Sequence, residues 1–138
     1  MRFLDTGLVL DHAALTDWLA KDIEIEVIIA VRRGYPIVIP TIVAAEAARQ
    51  VRTEPARERL QGLLYVIAHH VDPLDRDDAV TVGSLVAEHD VASLPAAHTA
   101  LAASHRRTDV GNATDWRIIT RDGGPYRRLC PDVPVNWL

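Results

Sequence analysis

The chain has 138 residues, a formal net charge of −4, 49% hydrophobic and 25% charged residues. That length suits one domain, and that balance excludes the low-hydrophobicity, high-charge profile of a disordered chain. The negative balance also argues against a generally basic nucleic-acid surface, so phosphate contacts have to come from a local patch of arginines, Lys21 being the single lysine.

No stretch approaches the roughly 18 uninterrupted apolar residues of a membrane span, and Asp5 interrupts the N-terminus too early for a secretory signal. A cytoplasmic protein with no membrane association is expected. Cys130 is the only cysteine, which excludes an intramolecular disulfide and a thiolate zinc cluster and leaves a free thiol, buried or simply C-terminal, as the expectation.

In chain order, RFLD, Arg2 to Asp5, reads as a short strand that ends on an acid and is followed by Gly7. Leu15, Leu19, Ile23, Val27 and Ala30 recur at helical spacing between Ala14 and Arg33, and Gly34 stops that helix. YPIVIP, Tyr35 to Pro40, reads as a buried strand between prolines. Thr41 caps a helix predicted to run to about Arg52, and Pro55 stands near the start of another that reaches about Ala68.

HHVDPL, His69 to Leu74, is an expected edge strand, and Asp75 through His89 a helix with Val80, Leu85 and Val86 on its inner face. ASLPAAHTALAAS, Ala92 to Ser104, supplies the next helix after Ser93. RRTDVGNATD, Arg106 to Asp115, reads as an exposed loop and WRIIT, Trp116 to Thr120, as a strand. A helical turn at Tyr126 to Leu129 and a strand from Val135 to Leu138 finish the chain.

Strands alternating with helices imply a parallel central sheet covered on both faces. In such sheets chemistry collects at the carboxyl ends of the strands. Asp5 after RFL, Asp122 after RIITR, and Glu46, about one turn into the helix after YPIVIP, are three acids expected to converge there. Close carboxylates repel one another unless a cation neutralises them, and an all-carboxylate set selects a hard ion, Mg²⁺ or Mn²⁺. Phosphodiester hydrolysis is the corresponding chemistry. Each acid also has a structural reading: Asp5 as a turn cap, Glu46 as the partner of Arg49 or Gln50, and Asp122 as a turn aspartate in RDGGP.

FLDTGLVL, VIPTIVAAEAAR and ITRDGGPYRRL together resemble the outer acidic motifs of the PIN-domain ribonucleases, and within them the VapC-type toxins of toxin–antitoxin pairs. The resemblance spans essentially the whole chain. It implies a three-layer α/β/α sandwich, a Mg²⁺- or Mn²⁺-dependent endoribonuclease acting on tRNA or rRNA, a homodimer, and inhibition by a VapB-like antitoxin. Position by position, Asp5, Glu46 and Asp122 match metal-binding and catalytic acids, and Thr6 and Thr120 fall where the family often has hydroxyls. Arg49 and Arg121, with Arg52, Arg127 and Arg128 nearby, are candidates for RNA phosphate contact.

The third motif departs from the family. Where many such sequences have Asp-Ala-His, this chain has Ala96-Ala97-His98. Alanine at 96 keeps the helix and removes a carboxylate that the helix dipole would favour in the first turn. Two explanations stand beside each other: a substitution that silences a lethal ribonuclease, and a natural family member that binds RNA or a partner without cutting. A phosphoacceptor receiver fails for want of a lysine near the end, and neither a P-loop nor a nucleophile elbow is present. The remaining alternative is a non-catalytic binding module whose acids pair with a partner's basic side chains.

Overall fold

A computed structural model describes residues 6–10, 24–68, 70–90, 93–106, 115–120 and 124–137. Five strands are seen: β1 (Thr6–Leu10), β2 (Ile37–Pro40), β3 (His70–Asp72), β4 (Asp115–Thr120) and β5 (Val135–Trp137). Helix α1 (Glu24–Arg33) joins β1 to β2 among the described residues. Helices α2 (Thr41–Gln50) and α3 (Glu54–Gly62) lie between β2 and β3, α4 (Arg76–His89) and α5 (Leu94–Arg106) between β3 and β4, and α6 (Gly124–Leu129) between β4 and β5. The protein is mixed α/β, with one parallel sheet in the order β3-β2-β1-β4-β5.

The helix boundaries follow from local chemistry. Gly34 takes the left-handed φ of 72° after α1; its N–H donates to the Val31 carbonyl, and the Tyr35 N–H to the Ala30 carbonyl. That double bond is the Schellman stop, which glycine enters without Cβ strain. Thr53 caps α3 by accepting from the Ala56 N–H at 3.3 Å, and Asp75 caps α4 by accepting from the Asp78 N–H at 2.8 Å. Beyond Gly62 the helix widens into a π-turn, Leu63–Ile67, closed by the Ala68 N–H on the Leu63 carbonyl.

Alternation along the strands feeds two cores. Ile37, Ile39 and Ile119 join Val27, Ala30, Val43 and Leu63 in one cluster, while Val38, Trp116 and Ile118 join Ala100, Ala103 and Tyr126 in the other. Successive strand side chains point to opposite faces, so adjacent residues such as Val38 and Ile39 serve different cores. All four residues of β2 are buried, which explains why it reads as a continuous apolar run.

The expected strand Arg2–Asp5 lies outside the described residues, and the described first strand is Thr6–Leu10. An expectation about α4 needs correction. In α4 the buried residue is Val82, flanked by half-buried Leu85 and Val86, whereas Val80 is 69% exposed. A residue two positions from the buried one stands roughly 200° round the helix, so Val80 faces away from the core. Among the described residues no helix is long and apolar enough to cross a membrane.

Candidate functional site

An open parallel sheet forms its crevice outside the carboxyl ends of the strands, at the place where the strand order reverses. Here β1 is flanked by β2 on one side and β4 on the other, which places the reversal between β1 and β4. Leu10, the last residue of β1, pairs with Ile119, and Thr120 comes next as the last residue of β4, fully buried. The two central strands therefore end together.

This register separates residues that the sequence reading grouped. Thr6 pairs with Asp115, so both stand at the amino edge of the sheet. At about 3.3 Å per residue, that edge is some 16 Å from Thr120, and Thr6 and Thr120 are not brought together. Asp5, Arg121 and Asp122 lie outside the described residues. In the chain, Asp5 precedes the amino end of β1, Asp122 comes two residues after β4, and the acid directly after Leu10 is Asp11. Asp11 also lies outside the described residues.

Glu46 is well ordered by its helix. α2 leaves the carboxyl end of β2 and buries Val43 and Ala47, and Glu46 lies beside this stripe with its side chain 31% exposed. It is the sixth residue of α2, roughly 7 Å along the axis from Thr41. Both of its carboxylate oxygens accept from Arg49 Nε, at 3.1 and 3.2 Å, and Oε1 also accepts from the Arg49 NH2 group. This bidentate pair raises the Arg49 pKa above its ordinary value. Arg49 is thus engaged with Glu46 rather than directed toward a phosphate. The structural reading of Glu46 is realised, and a cation at Glu46 has to share or displace the guanidinium. Exposed Arg52 donates to the Arg49 carbonyl at 3.1 Å, and Arg127 and Arg128 form the exposed last turn of α6.

Ser93 caps α5, accepting at its hydroxyl from the Ala96 N–H at 3.2 Å and at its carbonyl from the Ala97 N–H at 3.2 Å. Ala96 is the third residue of the helix, 8% exposed, and belongs to the core cluster of Val38, Trp116 and Ile118. Two residues on, His98 is 2% exposed. Its Nδ1 accepts from the Ile42 N–H, at the start of α2, at 3.5 Å, and the ring also bonds the Pro73 carbonyl, just past β3. The amino end of α5 therefore packs at the carboxyl edge of β2 and β3. Burial lowers the His98 pKa, against the opposing effects of the Asp78 charge and the Pro73 carbonyl. Nothing in the sequence pattern reveals these bonds.

Among the described residues, no group of three or more His, Cys, Asp or Glu is placed to hold a metal ion. Of the three acids expected at the site, Glu46 is the one among the described residues. Cys130 is buried, with its pKa pushed up to about 11, so the thiol stays protonated and unreactive at neutral pH. Compared with known proteins, the chain matches no family model and no curated protein.

Proposed function

We propose that the chain is a three-layer α/β/α PIN-like domain of the VapC type: a cytoplasmic, Mg²⁺- or Mn²⁺-dependent endoribonuclease framework, controlled by a VapB-like antitoxin and dimeric. The observation that carries this reading is the reversal of strand order between the parallel neighbours β1 and β4, with Asp122 two residues beyond β4 in the chain. Asp5 keeps the role that the motif reading gives it. Glu46, on the helix after the neighbouring strand, is the third acid.

Carboxylates of this number are stable together only with a cation. Asp5, Glu46 and Asp122 would hold it, and the ion would supply a Lewis acid for a phosphate oxygen and lower the pKa of the attacking water. Arg49, released from Glu46 when the ion binds, and Arg121, next to Asp122, are the proposed phosphate contacts. Thr120 supports the end of β4 beside them.

Alanine at 96 leaves the set one carboxylate short, so the chain as it stands cuts RNA weakly or not at all. Cleavage of tRNA and rRNA pools with Mn²⁺, by the native chain and by Ala96→Asp, tests this reading. It requires the variant to cut and the native chain to lag behind it.

A second reading, a non-catalytic module binding RNA or a protein partner, is favoured by two observations. Position 96 sits in an apolar cluster, and Glu46 is already neutralised by Arg49. Under that reading the acids pair with basic side chains of a partner, and Ala96→Asp gains no activity.

A further inference from the structure

His98 is a buried imidazole, and its ring meets two different parts of the fold. Nδ1 accepts the Ile42 N–H at 3.5 Å, so in the neutral ring the proton is on Nε2, and the Pro73 carbonyl is the ring's other backbone neighbour. The bonds select the neutral Nε2–H tautomer. They span long stretches of chain: Ile42 and His98 are 56 residues apart. The Ile42 N–H is one of the first amides of α2, which no intrahelical carbonyl can satisfy, and Pro40 before the helix offers no side-chain cap. His98 thus does for α2 what a cap residue does elsewhere. Beside it the Thr41 hydroxyl donates to the Asp72 carbonyl, fastening the same turn of α2 to the end of β3.

We infer that His98 is a pH-sensitive tie at the carboxyl edge of the sheet, which fastens the start of α2 and the turn between β3 and α4 to α5 while neutral, and releases α2 when its Nδ1 gains a proton. A protonated ring has two donors and no acceptor, so the Ile42 N–H then faces an N–H instead of a lone pair. The Pro73 bond survives protonation, so release is confined to α2, the helix that carries Glu46. The charged groups around the ring determine how readily it titrates. Asp78 on α4 acts on it through its charge; the β3–α4 turn also carries Asp72 and Asp75, and α2 presents uncharged Thr41 and Ile42. This tie exists whether or not the crevice cuts RNA.

Amide hydrogen exchange at Ile42 in the full-length chain tests it, with Ile39 in β2 as an internal reference. His98→Gln keeps a neutral acceptor and donor at the site, and His98→Leu keeps bulk with neither. The tie predicts that Ile42 exchanges about tenfold faster in His98→Leu than in His98→Gln, with Ile39 unchanged. It also predicts that acidification from about pH 8 to about pH 5 lowers Ile42 protection relative to Ile39 in the native chain and not in His98→Gln. If His98→Leu does not fold, the comparison of native chain and His98→Gln decides alone. Equal Ile42 protection profiles in native chain and His98→Gln across that pH range overturn the proposal.

Discussion

Leu10 of β1 stands opposite Ile119 of β4 in a parallel ladder, so the two strands on either side of the reversal in strand order are held level toward the carboxyl edge. In the chain Asp122 follows β4 by two residues and Asp5 directly precedes Thr6; both acids lie outside the described residues.

The Glu46–Arg49 pair makes a prediction about metal affinity. Arg49 competes with a cation for the same two oxygens, so Arg49→Ala is expected to tighten Mn²⁺ binding by a few-fold, and Glu46→Gln to weaken it by tenfold or more. Mn²⁺ titration by calorimetry or paramagnetic resonance reads both. Arg49→Ala leaving Mn²⁺ affinity unchanged would mean that Glu46 is not a ligand.

Acid stability should depend on His98. The folded chain holds the ring neutral with a lowered pKa, while the unfolded chain takes up the proton near the ordinary value of about 6.5. Below that pH the unfolded state binds more protons than the folded one, so stability falls as pH falls, and the loss is complete once pH passes the lowered folded value. Urea midpoints of the native chain should therefore drop faster between about pH 7 and pH 5 than those of His98→Gln. Parallel curves would show that the ring is not held neutral.

Burial separates residues that are neighbours on the π-turn. Leu63 is fully buried in the core shared by β2 and α2, whereas Val66 is 82% exposed. Leu63→Ala is expected to cost about 2–5 kcal/mol by lost burial and the cavity it leaves. Val66→Ser should change stability by no more than about 0.5 kcal/mol. Denaturant unfolding of both variants checks this; similar losses at the two positions would contradict the packing described.

Much of the fold was legible because local chemistry and tertiary position agreed. Gly34 had to stop α1, Ser93 had to start α5, and the apolar run IVIP between prolines could only be a strand buried on both faces. The Glu46–Arg49 pair was also foreseeable from its three-residue spacing. The first strand was expected at Arg2–Asp5, which lies outside the described residues; Thr6–Leu10 is the part that pairs with β4. The role of His98 was illegible because its partners, Ile42 and Pro73, are backbone groups far away in the chain. Val80 was assigned inward by counting apolar residues, where the helical angle from Val82 was the better guide.

The most direct test compares RNA cleavage with Mn²⁺ by Ala96→Asp in three forms: alone, with Asp5→Ala, and with Asp11→Ala. The account predicts that Ala96→Asp cuts, that Asp5→Ala lowers the cutting by at least about a hundredfold, and that Asp11→Ala leaves most of it. Cleavage lost with Asp11→Ala and retained with Asp5→Ala would contradict the motif assignment on which the site is built, and no cleavage by any form would contradict the ribonuclease reading itself.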